Sequence, residues 1–197
     1  MTNETIEAIV AGLDSKPTDT IRSICSDGEV PLALLEYVDR VIAFDKDTEA
    51  LDEARLSIDL ISRGQYDKFL EDVPLYTFNQ EYFSIEGRLD RIRAKLGNLE
   101  IIEGDIFERE SDPANKIYLS NALTFFGAVN GSVTDSLRKI IRFLPPGGLL
   151  YVSDGRKMRL EELGYRGMPE GLEVCPDLTE AAKRVEQFWD PKVFRRV

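Results

Sequence analysis

The stretch Ile21 to Asp45, IRSICSDGEVPLALLEYVDRVIAFD, decides the fold. Its first apolar run, Ile21 to Cys25, breaks at Ser26-Asp27-Gly28. A helix carrying Leu32, Leu34, Leu35 and Val38 follows, and a second β-rich run, Val41 to Phe44, ends at Asp45. This is a β-α-β unit with a loop at the carboxyl end of its first strand and an acid at the end of its second. In doubly wound sheets nucleoside ligands bind at that place, the acid taking the ribose hydroxyls. The loop opens a helix whose free N–H groups can hold an anionic group such as a carboxylate.

The same alternation continues on both sides of this unit. Glu4 to Leu13 reads as a helix, with Ile6, Ile9, Val10 and Leu13 on one face, and Lys16-Pro17 breaks it. After Asp45, either Asp47 or Thr48 can cap a helix that runs through Ser62, and Gly64 ends it. Leu99 to Glu103 and Lys116 to Ser120 read as strands, ending at Gly104-Asp105-Ile106 and at Ser120-Asn121-Ala122. Val133, Leu137, Ile140, Ile141 and Leu144 mark one face of an amphipathic helix that Pro145-Pro146-Gly147-Gly148 stops. Leu149 to Val152 is a fifth strand, ending at Ser153-Asp154. Strands thus alternate with helices, which argues an α/β fold with a mostly parallel sheet and helices on both faces. In the tail, Leu160 to Leu163 and Thr179 to Trp189 read as helices, the second with Asp177 or Thr179 near its cap. Lys192 to Val197 reads as a last strand.

The segment from Gly64 to Gly97 is more than a minimal unit of this kind needs. It is rich in aromatics: Tyr66, Phe69, Tyr76, Phe78, Tyr82 and Phe83. Two readings stand side by side, extra helices packed on the core and a lid or wall over a ligand.

A chain of 197 residues suits one domain, 1–197, with this segment as an insertion. The net charge of −11 repels phosphate backbones and argues against a nucleic-acid partner. The one basic run, Arg88 to Lys95, reads as a solvated helix face. The first residues lack a basic and apolar leader pattern, and no apolar run approaches the ~20 residues that a spanning helix needs. With only two cysteines, the expected setting is the reducing cytoplasm. The sequence contains no histidine, which removes Ser-His and Cys-His nucleophilic mechanisms and His-ligated metal sites. Two cysteines cannot build a four-cysteine zinc site, so no metal centre is expected.

The strand ends carry Ser26-Asp27-Gly28, Asp45, Asp105 and Ser120-Asn121, and a parallel sheet puts all of them on one edge. This pattern resembles the class I S-adenosylmethionine-dependent methyltransferases over about residues 20 to 155. The family's Gly-rich first motif is similar to Ser23-Ile24-Cys25-Ser26-Asp27-Gly28-Glu29. Its ribose acid matches Asp45, its adenine-contacting acid matches Asp105-Ile106, and its motif at the end of strand four matches Ser120-Asn121-Ala122-Leu123. The phrase FLPPGGLLYVSD, Phe143 to Asp154, resembles the family's helix-Pro-Gly-Gly-strand element. The resemblance implies a Rossmann-like doubly wound sheet of strand order 3-2-1-4-5, open to extra edge strands. It also implies S-adenosylmethionine as cofactor, held by Cys25, Ser26, Asp27, Gly28, Asp45, Lys46, Asp105, Ile106, Ser120 and Asn121. Where the family's loop carries two or three glycines, this one carries Gly28 alone. Cys25 and Asp27 stand in two of the glycine positions, and Ser23 replaces the opening acid.

The implied activity is methyl transfer to a small-molecule acceptor. A weak nucleophile needs a base, and without histidine the candidates are Tyr82, Glu29, Asp27 and Asp154. Cys25, at a strand end, reads as a small buried hydrophobe rather than a reactive thiol. Two other functions stay open. A narrower resemblance, to the 3-amino-3-carboxypropyltransferases of betaine-lipid synthesis, rests on the Ser-x-Gly-acid loop, the insertion and Leu-Ser-Asn. A non-catalytic nucleoside-binding protein is the third reading, favoured by the glycine-poor loop. The acceptor and the oligomeric state, a homodimer among the options, are not written in the sequence.

Overall fold

A computed structural model gives the fold and describes residues 4–73, 75, 77–110, 113–123, 133–154, 170–186 and 188–197. In chain order the elements are α1 (Ile6–Gly12), β1 (Thr20–Ile24), α2 (Glu29–Tyr37), β2 (Arg40–Asp45), α3 (Thr48–Ser62), α4 (Tyr66–Asp72), α5 (Thr77–Phe83) and α6 (Arg88–Lys95). A 3-10 turn (Leu96–Asn98) leads to β3 (Leu99–Glu103). Then come β4 (Lys116–Tyr118), α7 (Val133–Ile141), β5 (Leu149–Asp154), β6 (Leu172–Val174), α8 (Pro176–Lys183) and β7 (Asp190–Arg196). The strands form one sheet of order β3-β2-β1-β4-β5-β7-β6. The first five are parallel, as the β-α-β reading requires, and β7 and β6 extend the sheet in antiparallel pairing.

Side chains alternate between the two faces along each strand. Ile42, Phe44, Ile117, Leu119, Leu150 and Val152 pack on one face with Leu137 and Ile140 of α7. Ile21, Val41, Tyr118, Leu149 and Tyr151 pack on the other with residues of α1, α2 and α8. Helix α2 is buried from Glu29 to Leu35, because sheet, α1 and α6 surround it. Burial of its leucines is worth about 2 kcal/mol each.

The capping follows local chemistry. Asp47 caps α3, its carboxylate accepting the Glu49 N–H at 3.0 Å. The Pro-Pro-Gly-Gly turn needs its last glycine, because a Cβ on Gly148 would sit 2.9 Å from the Asn115 carbonyl oxygen.

Several expectations change. The segment 64–97 forms α4, α5 and α6, whose Phe69, Tyr82, Phe83 and Ile92 pack on Leu32, Leu60 and Ile61. It is the reading of extra packed helices that this describes. The basic run is engaged rather than merely solvated: Arg88 and Arg91 pair with Glu36 at 2.8 and 2.7 Å, and Lys95 donates to the carbonyls of Glu36 and Val38. The helix expected from Thr179 starts earlier and stops at Lys183. Pro176 opens it, since its fixed φ suits the first turn, and Cys175 rather than Asp177 or Thr179 stands at the cap. The Thr179 hydroxyl instead accepts the Val193 N–H, tying α8 to β7. Strand β6 has no expected counterpart, β4 stops at Tyr118 short of Ser120, and α7 stops at Ile141 short of Leu144. Residues 160–163 lie outside the described residues. Among the described residues no helix is long and apolar enough to cross a membrane.

Candidate functional site

One cavity of about 480 Å³ runs along the carboxyl edge of the parallel strands. This is the place where open α/β sheets bind ligands. Cys25, Ser26 and Asp27 line it from the β1–α2 loop, Asp45, Lys46 and Asp47 from the end of β2, and Gly104, Asp105 and Ile106 from the end of β3. Ser120, Asn121 and Ala122 line it after β4, and Trp189 adds to the lining. The sheet therefore brings together every residue that the resemblance assigned to cofactor contact except Gly28.

Gly28 serves the packing beneath. It takes φ +89, and a Cβ there would stand 3.0 Å from the Ala54 Cβ and 3.1 Å from its Cα in α3. The loop thus crosses α3 too closely for any side chain. Ser26 supplies the turn that further glycines would otherwise supply, at φ 48. Ser120, which follows the neighbouring strand β4, has φ 51. Left-handed non-glycine residues cost about 1–2 kcal/mol each, and such strain gathers at ligand sites.

Hydrogen bonds fix the strand ends relative to one another. The Asp45 carboxylate accepts the Ser26 N–H at 2.9 Å through Oδ2 and the Asp47 N–H at 3.1 Å through Oδ1. Asp105 accepts the Phe107 N–H at 2.9 Å, which shapes its turn, and pairs with the Lys46 ammonium at 3.2 Å. The turn is held from below by Arg22, a buried β1 side chain that sequence reading did not single out. Its guanidinium lies 4.1 Å from the ring centres of both Phe44 and Phe143 and donates to the carbonyls of Ile106 and Arg109. Burial lowers its pKa to about 10, still a cation at neutral pH.

The candidate bases fall in different places. Tyr82 lies outside the cavity, buried in the helical insertion, with its hydroxyl 2.9 Å from Glu36 Oε2 and 3.3 Å from the Tyr37 hydroxyl. Burial pushes its pKa well up. Glu29, also off the cavity wall, is buried at the start of α2 and accepts the Asn79 side-chain N–H at 3.0 Å. Burial and the neighbouring Asp27 carboxylate push its pKa up to about 8. Asp27 itself lines the cavity. The Asp154 backbone ends β5, opposite Asp190 of β7. Burial pushes the Cys25 thiol up to about 12, so it stays protonated and unreactive at neutral pH.

Glu4 is a buried acid that the sequence did not mark. The Tyr118 hydroxyl donates to it at 2.8 Å and the Ser120 hydroxyl at 2.5 Å. Burial raises it to about 7. Its partners are more than a hundred residues away, and an acid before a first helix reads as an ordinary capping residue.

No protein-family model matches the sequence, and no curated protein matches it. Solved structures do. TrmN from Thermus thermophilus aligns with a TM-score of 0.63 at 15% identity, over 98% of this chain and 48% of its own, so the chain spans about half its length. An RNA methyltransferase from Salinibacter ruber, in complex with S-adenosylhomocysteine, gives 0.52 at 14% identity, over 97% and 88% of the two chains. SMU.1697c from Streptococcus mutans, also in complex with S-adenosylhomocysteine, gives 0.55 at 12% identity over the whole of both chains. The chain has the fold of the class I S-adenosylmethionine-dependent methyltransferases.

Proposed function

We propose that this protein is an S-adenosylmethionine-dependent methyltransferase with a small-molecule acceptor. The observation that carries this reading is Asp45: a carboxylate at the end of β2, held by the β1 loop, on the wall of the cavity at the sheet's switch edge. Solved structures of the same fold carry S-adenosylhomocysteine.

The residues present suit the cofactor. Asp45 would take the ribose hydroxyls, Asp105 and Ile106 the adenine, and the loop Cys25 to Gly28 the methionine portion. Ser26 in a left-handed conformation gives the loop its bend without a second glycine. When bound, S-adenosylmethionine supplies an electrophilic methyl carbon on a sulfonium. The chain's own part is to position and desolvate the acceptor beside it. Ile24, Val30, Phe44 and Leu119 contribute apolar wall that excludes water.

A small acceptor suits the charge better than RNA. The chain carries −11, four of the cavity-lining residues are aspartates, and three members of the one basic run are spent on Glu36 and on the end of α2.

Calorimetric titration of the protein with S-adenosylhomocysteine, with NAD as control, tests the reading. Micromolar binding that NAD does not show supports it, and a folded protein that binds neither ligand refutes it. Product analysis then separates methyl transfer, which leaves S-adenosylhomocysteine, from aminocarboxypropyl transfer, which leaves methylthioadenosine.

A further inference from the structure

The end of the cavity away from Asp105 is built over a buried carboxylate from the amino-terminal segment. Glu4 has no exposed surface, and the hydroxyls of Tyr118 and Ser120 that donate to it belong to cavity-lining residues. It stands one hydroxyl behind the wall. Tyr151 and Ser153 of β5 and Glu186 after α8 face it from the other elements. Glu186 accepts the Thr5 N–H at 2.9 Å and the N–H groups of Phe188 and Trp189. These bonds tie the amino-terminal segment to the backbone of Trp189, a cavity-lining residue.

Glu186 already anchors the segment, so anchoring does not call for a second, fully desolvated carboxylate. Burying one is costly, and an apolar side chain would fill the space. Among the described residues the cavity wall is acidic. Its acids are Asp27, Asp45, Asp47 and Asp105, and its one described cation, Lys46, is paired with Asp105. This disfavours carboxylate and phosphate acceptors and favours a cation, and the lining includes the aromatic Trp189.

We propose that the β4 end of the cavity is an amine subsite, where a primary or secondary ammonium gives its proton through the Ser120 hydroxyl to Glu4. The ammonium N–H bond breaks and its proton joins Ser120 Oγ, while the Ser120 proton passes to Glu4 Oε1. The nitrogen keeps the electron pair, leaving a free amine beside a neutral carboxylic acid. The inference rests on the methyltransferase reading, in which that lone pair is the nucleophile. Burial places Glu4 at about 7, between an ordinary carboxylate and an ammonium, where a proton acceptor works best at neutral pH.

Trp189 is the single tryptophan of the chain and reports on the site directly. The protein saturated with S-adenosylhomocysteine is titrated with phenethylamine and with 3-phenylpropionate, followed by tryptophan fluorescence. The amine binds and the carboxylate does not. Amine affinity rises about tenfold from about pH 6 to pH 8 as Glu4 ionises. In Glu4→Gln the rise disappears, while S-adenosylhomocysteine still binds. Equal binding of the two probes, no amine binding, or a pH-independent wild-type affinity overturns the inference, and none of these readings needs the variant to fold. Absence of S-adenosylhomocysteine binding removes the functional reading together with it. Binding of S-adenosylhomocysteine without amine selectivity removes the subsite alone.

Discussion

The Asp45 carboxylate takes the backbone N–H of Ser26 at 2.9 Å, so the acid at the end of β2 sets the shape of the loop at the end of β1. The same carboxylate also accepts the Asp47 N–H. One side chain thus lines the cavity and builds the loop beside it. Asp45→Ala loses both functions and leaves two N–H groups without their acceptor. Hydrogen bonds to a charged group are worth ~1.5–3 kcal/mol each, so S-adenosylhomocysteine affinity falls by about tenfold to a hundredfold. Asp45→Asn, which keeps one acceptor oxygen, falls between wild type and Asp45→Ala. Calorimetry on the three proteins checks the order, and equal affinities would show that Asp45 does not face the ligand.

Gly28 is required by the close approach of α3. Its positive φ and its approach to Ala54 both oppose a side chain. Gly28→Ala is destabilising by ~1–3 kcal/mol, the combined scale of left-handed strain and overpacking. Gly28→Ala combined with Ala54→Gly does not recover that loss, because the Ala54 Cα still lies 3.1 Å from the new Cβ and a glycine inside α3 costs ~1 kcal/mol. Urea unfolding of the single and double variants measures both. A single variant as stable as wild type would contradict the close packing.

These two positions show what the sequence could tell. Asp45 was legible because a strand of period two ends in an acid, a local pattern. The parallel sheet followed from the regular alternation, and with it the shared edge where Ser26, Asp105 and Ser120 meet. The packing of Gly28 on Ala54 was not legible, because it depends on α3, whose approach no local pattern records. Glu4 was missed for the same reason, since its meaning lies in Tyr118 and Ser120 far along the chain. Strand β6, three residues with one buried, offers too short a pattern to read and exists through its pairing with β7.

Glu29 makes stability depend on pH. Burial and Asp27 push its carboxyl to about 8, against 4.5 when exposed. The folded protein therefore keeps a proton that the unfolded chain releases above about pH 4.5. Stability from this group is highest below that pH and declines as pH rises toward about 8, by about 1.4 kcal/mol per pH unit for one proton. Glu4, raised to about 7, adds a decline of the same sign over the lower part of that range. Glu29→Gln removes one titrating group, so its stability falls less steeply and exceeds that of wild type at about pH 8. Urea unfolding at about pH 5, 6.5 and 8 reads the slopes, and parallel curves for the two proteins would refute the assignment.

Tyr82 is an aromatic pillar of the helical insertion. Its ring meets Phe83 edge-on with centroids 5.1 Å apart, and the Arg88 guanidinium lies 3.7 Å from its centre. Its hydroxyl reaches Glu36, which also holds Arg88 and Arg91. None of these groups lines the cavity among the described residues. Tyr82→Phe removes one hydrogen bond and keeps the ring, so it lowers stability by ~1 kcal/mol. Tyr82→Ala also removes the ring from a closed cluster and costs ~3–5 kcal/mol. Through both changes the affinity for S-adenosylhomocysteine stays within about twofold of wild type, provided that the variant is folded at the assay temperature, because sites without shared partners act independently. Thermal unfolding and calorimetry on the same samples separate the two effects. A large loss of affinity in Tyr82→Phe, with stability nearly intact, would move this tyrosine into the site and restore the lid reading of the insertion.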